Sequence, residues 1–346
     1  MMRDSILRAV LLLCAAAVAH PVLAPVHAQA VPLRPSDTAF VVRHEGLIPE
    51  NVAWDPVTGG FFIGDLLGRR VLHRDAGGRV REFAGPSVVR GAVVGMKPDS
   101  ARQLLWVAVW SDSARMTPAE HRVVPRSTLL ALDLVTAAVR HRYVPADSLR
   151  THLFNDLVLT RDGEVLLTDS EAARVYRLAS LDDSLRVLVQ PESDRFSYPN
   201  GIALDSAERT VYVAHGEGVS AIDRETGRMR LLQPPAGSPL TGFDGLYRSG
   251  ELFVAIRNGE PGRDAVVAFR VTPDGHVVAV SELERRHPAY HIPTTGAVVG
   301  RSLYYVANSQ LDRMRAILAG GTPPLDPLIV LRLDIPRFVE DSPAPR

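Results

Sequence analysis

Four oxygen-bearing side chains hold the same place in a recurring stretch of sequence. They are Glu50 in Pro49-Glu50-Asn51-Val52, Asn155 in Phe154-Asn155-Asp156-Leu157, Asn200 in Pro199-Asn200-Gly201-Ile202 and Asp244 in Phe243-Asp244-Gly245-Leu246. Each opens a short apolar run. Two carboxylates and two amide oxygens make a hard, oxygen-only donor set that leaves room for water. That chemistry suits Ca2+, with Mg2+ or Mn2+ also accommodated, and the lack of His among the four argues against a His-rich zinc site. Taken singly, Asn-Gly and Asp-Gly are turn sequences in which the side chain caps its own backbone. The metal reading rests on all four sharing one phase, with steps of 105, 45 and 44 residues between them.

A shared phase requires a repeated element to carry it. Residues 49–83, 154–190, 198–233 and 241–281 follow one plan: a polar turn, a short apolar strand, a Gly/Asp turn, a second strand, then two more. Looser copies occupy 90–144 and 291–335. Short Val-, Leu- and aromatic-rich runs bounded by Gly, Pro, Asn and Asp are strand and turn chemistry. Four strands in each of six repeats predict an all-β, six-bladed β-propeller. The sixth repeat runs out of chain after Leu328–Leu333, and residues 39–43 are a spare strand. The N-terminal strand is therefore expected to close the last blade, which removes two exposed sheet edges. Outside the first thirty residues no long segment has helical period.

In such a ring the inner strands surround a channel, so residues at their starts converge on its axis. The second repeat offers only Val94 and Gly95 there, and the sixth offers Thr295. Each second strand returns to the same face, where its exit carries Asp65, Trp110, Asp169, His215, Arg257 or Asn308. Asp65 and Asp169 read as turn caps. Trp110, His215, Arg257, Thr295 and Asn155 are the candidate substrate contacts, and Tyr290 and His291 lead into the same funnel. The long exit loops 111–127 and 309–326 are candidate lids or recognition elements.

The 39 basic and 39 acidic residues cancel, which argues against the basic face that nucleic acid requires. Arg3 and Arg8, the apolar run Ala9–Ala19 and Ala28-Gln29-Ala30 read as a secretory signal over residues 1–30, followed by one propeller domain over 31–346. The expected location is periplasmic or secreted, with no membrane span. The single cysteine, Cys14, lies in that signal, so the mature chain has neither a disulfide nor a thiol nucleophile. No Gly-x-Ser-x-Gly elbow is present, which weakens a serine hydrolase reading.

On the four motifs quoted above, the chain over residues 40–335 resembles the SMP-30/gluconolactonase-like proteins, broadly kin to paraoxonase-type and strictosidine-synthase-like propellers. The resemblance implies that Glu50, Asn200 and Asp244 are direct metal ligands. It places Asn155 beside the metal, in contact with substrate or a bound water, and makes Asp244 the acid/base residue. The activity implied is metal-dependent hydrolysis of a small-molecule lactone or ester. Family members acting on sugar lactones often carry an Arg two residues before the third-repeat Asn; Leu153 stands there in this chain. That difference points away from an aldonolactone and toward a less polar ester or lactone. The alternative is a non-enzymatic binding module pinned by a structural calcium ion. A carbon–carbon-forming reaction of the strictosidine-synthase type would rely on a Glu in the funnel, and no residue here is clearly placed for that role.

Overall fold

Runs such as Phe61-Phe62-Ile63 and Leu104-Leu105-Trp106-Val107 cannot face water on either side, so they settle as strands in the middle of sheets whose faces are both covered. The computed structural model describes residues 35–111, 127–147, 151–191, 195–258 and 262–337. Among these, the strands form six antiparallel four-stranded sheets. The opening strand is β1 (Asp37–Val42). Blade 1 follows with β2 (Pro49–Trp54), β3 (Phe61–Asp65), β4 (Arg70–Arg74) and β5 (Val80–Ala84). A one-turn helix, α1 (Pro86–Val89), leads to blade 2: β6 (Ala92–Asp99), β7 (Leu104–Trp110), β8 (Ser127–Asp133) and β9 (Val139–Tyr143). Blade 3 holds β10 (Phe154–Leu159), β11 (Val165–Asp169), β12 (Arg174–Leu178) and β13 (Arg186–Val189). Blade 4 holds β14 (Ile202–Leu204), β15 (Thr210–His215), β16 (Gly218–Asp223) and β17 (Met229–Leu231). Blade 5 holds β18 (Phe243–Ser249), β19 (Leu252–Arg257), β20 (Ala265–Val271) and β21 (Val277–Arg285). Blade 6 has β22 (Gly296–Val299) and β23 (Ser302–Val306), then helix α2 (Leu311–Leu318), then β24 (Leu328–Asp334).

The expected closure is present. β1 lies antiparallel to β24, with Phe40 opposite Val330 and Val42 opposite Leu328, and completes blade 6 as its outer strand. Phe40 packs on Phe61 of blade 1 at 5.1 Å between ring centroids, so the closing strand also grips the next blade. The inner strands β2, β6, β10, β14, β18 and β22 each lie against the next, and β22 lies against β2. The fold is a six-bladed β-propeller.

The apolar interior is divided by the blades into slabs. Buried clusters fill each of the six gaps, for example Trp106 and Phe154 between blades 2 and 3, and Tyr212, Phe253 and Phe269 between blades 4 and 5. Every slab therefore depends on both neighbours, which ties stability to an unbroken ring. Near the axis the strands come too close for side chains. A Cβ on Gly95 would stand 2.1 Å from the Asn155 carbonyl oxygen, and one on Gly201 2.5 Å from that of Asp244. Glycine at these two places lets adjacent inner strands meet backbone to backbone.

One element departs from expectation. The 309–326 loop contains α2, whose Leu311, Met314, Ile317 and Leu318 recur on one face. The helix stops at Gly320, with φ 87°. Gly320 N–H donates to Ile317 O and Gly321 N–H to Ala316 O, as glycine-terminated helices do. The proposed signal, nearly all of the 111–127 loop and the chain beyond 337 lie outside the described residues. No described helix is long and apolar enough to cross a membrane.

Candidate functional site

Pleat alternation would send neighbouring side chains of an inner strand to opposite faces. In four blades that alternation breaks at the start of the strand. The pairing register slips between Pro49 and Asn51, between Val93 and Gly95, between Phe154 and Leu157, and between Phe243 and Leu246. These are β-bulges, which turn a strand locally and re-aim its side chains. The residues inside them are Glu50, Val94, Asn155-Asp156 and Asp244-Gly245. In blade 4 the same place precedes the short β14, and Asn200 N–H is tied to Ala214 O at 2.8 Å.

The effect is convergence. Glu50, Asn155, Asn200 and Asp244 all line one cavity of about 650 Å3 at the end of the channel. Three of their buried oxygens, Glu50 Oε2, Asn200 Oδ1 and Asp244 Oδ1, have no hydrogen-bond partner. Buried carboxylate and amide oxygens are normally satisfied, because stripping water from them is costly. Burial, then the nearby Asp244 charge, pushes the Glu50 carboxyl well above its ordinary range. Burial raises Asp244 as well; the Asn258 and Asn200 amides pull it down, the charge of Asp156 pushes it up, and it stands at about 6. A site that holds two such carboxyls facing unsatisfied amide oxygen is matched to a divalent cation with oxygen ligands. Among the described residues there is no cluster of three or more His, Cys, Asp or Glu; half of this donor set is amide.

Secondary contacts hold the ring in place. Asn258 Nδ2 donates to Asp244 Oδ2 at 2.6 Å and to Pro293 O at 2.9 Å, which leaves Asp244 Oδ1 as the free oxygen. Asn155 Nδ2 donates to Ser170 Oγ at 2.9 Å, and Ser170 Oγ donates to Pro199 O at 2.7 Å. That chain links the bulge of blade 3 to the Asn200 turn of blade 4. Below the ring, Asp156 is buried with Oδ2 unpartnered; burial raises its carboxyl, and the charge of Lys97, the chain's only lysine, opposes that rise.

The other sequence candidates divide. Trp110 lines the cavity. Thr295 lies behind the ring, its hydroxyl donating to Glu50 O at 2.9 Å and accepting from Asn51 Nδ2 at 2.8 Å. His215 is enclosed by its own exit turn, with Nδ1 against Glu217 at 2.8 Å, Nε2 against Ser220 Oγ at 2.8 Å and Phe196 across its face. Arg257 lies over the Phe243 ring, donates to Pro239 O and Thr241 O, and pairs with Glu282 at 3.3 Å. Neither His215 nor Arg257 lines the cavity. Asp65 and Asp169 cap their turns: Asp65 accepts from Ile48, Leu67 and Gly68 N–H and from Arg70 Nε.

Sequence reasoning missed Asn258 and Tyr198. Asn258 follows Arg257, the last residue of β19, and its amide reaches Asp244 while the Arg257 side chain lies over Phe243. Tyr198, with φ 51° and 55% exposure, stands at the rim just before Pro199-Asn200. The helix residues Leu311, Asp312, Met314 and Leu318 also line the cavity; the spacing 311, 314, 318 was the signal that could have found them.

No family model matches the sequence, and no curated protein is similar to it. Solved structures share the fold. A gluconolactonase from Xanthomonas campestris superposes with a TM-score of 0.56 at 18% identity, over 89% of this chain and 98% of its own. A virginiamycin B lyase from Staphylococcus aureus gives 0.53 at 14% identity, over 77% and 80%. A PQQ-bound aldose sugar dehydrogenase from Streptomyces coelicolor gives 0.59 at 12%, over 88% and 99%. The architecture agrees with the resemblance drawn from the four motifs. These neighbours differ in the reactions their names state, so the shared fold does not choose among chemistries and the site must.

Proposed function

We propose that the chain is a metal-dependent hydrolase of a lactone or ester, with Ca2+ held by Glu50, Asn200 and Asp244 and with Asn155 beside it. The observation that supports this is the trio of buried, partnerless oxygens brought by three different blades to one cavity. When bound, the ion supplies Lewis-acid polarisation of the carbonyl oxygen. Asn258 fixes the Asp244 carboxylate through Oδ2, and that carboxylate takes a proton from the attacking water. The water oxygen bonds to the carbonyl carbon, the acyl C–O bond breaks, and the departing alkoxide receives the proton that Asp244 took. The Asn155 amide, anchored by Ser170, is aimed to hold the substrate or that water.

The neighbours' names support a lactonase-type or sugar-processing propeller at low identity. Calorimetric titration of the purified chain with CaCl2, followed by turnover of aryl esters and lactones with and without chelator, tests the proposal. Chelator-sensitive turnover is expected. Calcium binding with thermal stabilisation but no turnover of any ester or lactone would leave a binding module with a structural ion instead. We further propose export, with cleavage near Ala30; a cytoplasmic protein would contradict the export, and an exported form that still begins at Met1 would contradict the cleavage.

A further inference from the structure

The oxygen ring has a gap at blade 2, where Val94 occupies the bulge that carries Glu, Asn or Asp in blades 1, 3 and 5. The gap opens on an apolar wall. Val94 and Met314 are buried with Ile48, Leu66 and Ala92 in one cluster, and Trp110 and Leu311 pack on that cluster while keeping part of their surface in the cavity. The wall therefore joins blades 1 and 2 to helix α2; Glu50 of blade 1 stands beside it, and Asn155, Asn200 and Asp244 line the cavity from blades 3, 4 and 5. On the floor beside Asn155, Leu153 is a further apolar lining residue. Among the described residues the cavity's lining contains no Arg, Lys or His; its one charge on the helix side, Asp312, is paired with His291 at 2.9 Å and is mostly exposed at the rim.

We propose that the substrate is a neutral lactone or ester whose alkyl or aryl substituent lies against Trp110, Val94, Leu311 and Met314 while its carbonyl faces Glu50 and Asp244. The proposal rests on the hydrolase reading and names the substrate class it acts on. A polyhydroxylated lactone turned toward this wall would lose water from each hydroxyl and gain no partner. A methylene at the same place gains what apolar burial provides. An anionic substrate finds no cation among the described lining side chains, and Glu50 and Asp244 oppose it until an ion is bound. The cavity volume falls within the range of small-molecule pockets.

The test uses γ-lactams, which mimic lactones but resist hydrolysis, with side chains from methyl to octyl. Binding to the calcium-loaded full chain is followed by titration calorimetry, and turnover of the matching γ-lactones is measured beside it. Affinity should rise about fourfold per methylene until the wall is filled, the fold-change that ~0.8 kcal/mol per buried methylene gives at 1.4 kcal/mol per tenfold. Trp110→Ala and, separately, Leu311→Ser should flatten that dependence; Leu311 is only partly buried, so its variant is expected to fold. Absent binding, affinity independent of chain length, or tighter binding of a polyhydroxylated lactam would overturn the proposal. Chain-length-dependent binding with no lactone turnover would instead remove the hydrolase reading and leave the apolar pocket standing.

Discussion

Asp244 and Asp169 are both aspartates near the funnel end of a strand, and both are almost wholly buried. Their surroundings are opposite. Asp169 accepts from Leu153 N–H at 2.9 Å, from Ala172 N–H at 3.1 Å and from His152 Nδ1 at 2.6 Å. Asp244 receives one short bond from Asn258 and keeps a second oxygen with no partner. The first is a staple that holds its own exit turn to the entry of the same blade's inner strand, β10. The second is a buried charge left incomplete, beside another in Glu50. Burial alone does not separate structure from function here; the state of satisfaction does.

The sharpest way to break this comparison is to remove each carboxylate. Asp244→Ala should lower kcat/KM for the best ester or lactone by about 100-fold or more, the size of a lost acid/base group combined with a damaged ion site. Its melting temperature without calcium should stay level or rise, because an unsatisfied buried charge has gone. If the variant melts at a lower temperature while its kcat/KM in the folded protein is unchanged, Asp244 belongs with Asp169 and the functional reading is wrong.

Asp169→Asn should do the reverse. Burial disfavours a charged His152, but the Asp169 hydrogen bond and the Asp147 carbonyl outweigh it and raise its pKa. Removing one partner from a pair this deeply buried costs about 3–5 kcal/mol, read as a fall in the urea midpoint. The raised His152 dictates the pH sense. The stabilisation is complete below the ordinary His pKa of about 6.5 and fades as pH rises through the higher folded value, so the gap between variant and wild type should narrow in alkali. Calcium affinity should change little.

The comparison also marks where the sequence was readable. Six repeats, the spare strand 39–43 and the common phase of Glu50, Asn155, Asn200 and Asp244 were legible because each blade must solve the same burial problem with the same strand and turn chemistry. The bulges were not legible, since nothing in Pro49-Glu50-Asn51 states that pairing will slip by a residue. Helix α2 was hidden because two turns of apolar spacing are too short to stand out among strand-like segments. His215 and Arg257 were misjudged for a geometric reason. An exit residue faces the funnel or its own turn depending on a single step of alternation, and that step is set by the partner strand.

A smaller effect sharpens the ring itself. Glu50→Gln removes a carboxyl that burial, and then the charge of Asp244, holds well above its ordinary range. Without calcium the variant should be as stable as wild type or slightly more so. With calcium it should lose the stabilisation that a ligand at a hundredfold its Kd confers, about 2.7 kcal/mol, which scanning calorimetry resolves as several degrees. An equal calcium-induced shift in wild type and variant would take Glu50 out of the ligand set.

The mildest prediction concerns His215, the residue that sequence placed in the funnel and structure placed in a turn. Its partner Glu217 is opposed by partial burial, yet Ser197 N–H and hydroxyl and the His215 ring hold its carboxyl down at about 2. A depressed carboxyl stabilises the fold above its ordinary value near 4.5 and loses that contribution as pH falls toward 2. Glu217→Gln should therefore cost about 1 kcal/mol at pH 7, reduced from the full shift because the side chain is partly in water, and nothing at pH 2. Since this group holds a turn and not a substrate, KM for the best substrate should be the same in both proteins at pH 7. A KM that rises while stability does not would return His215 to the funnel.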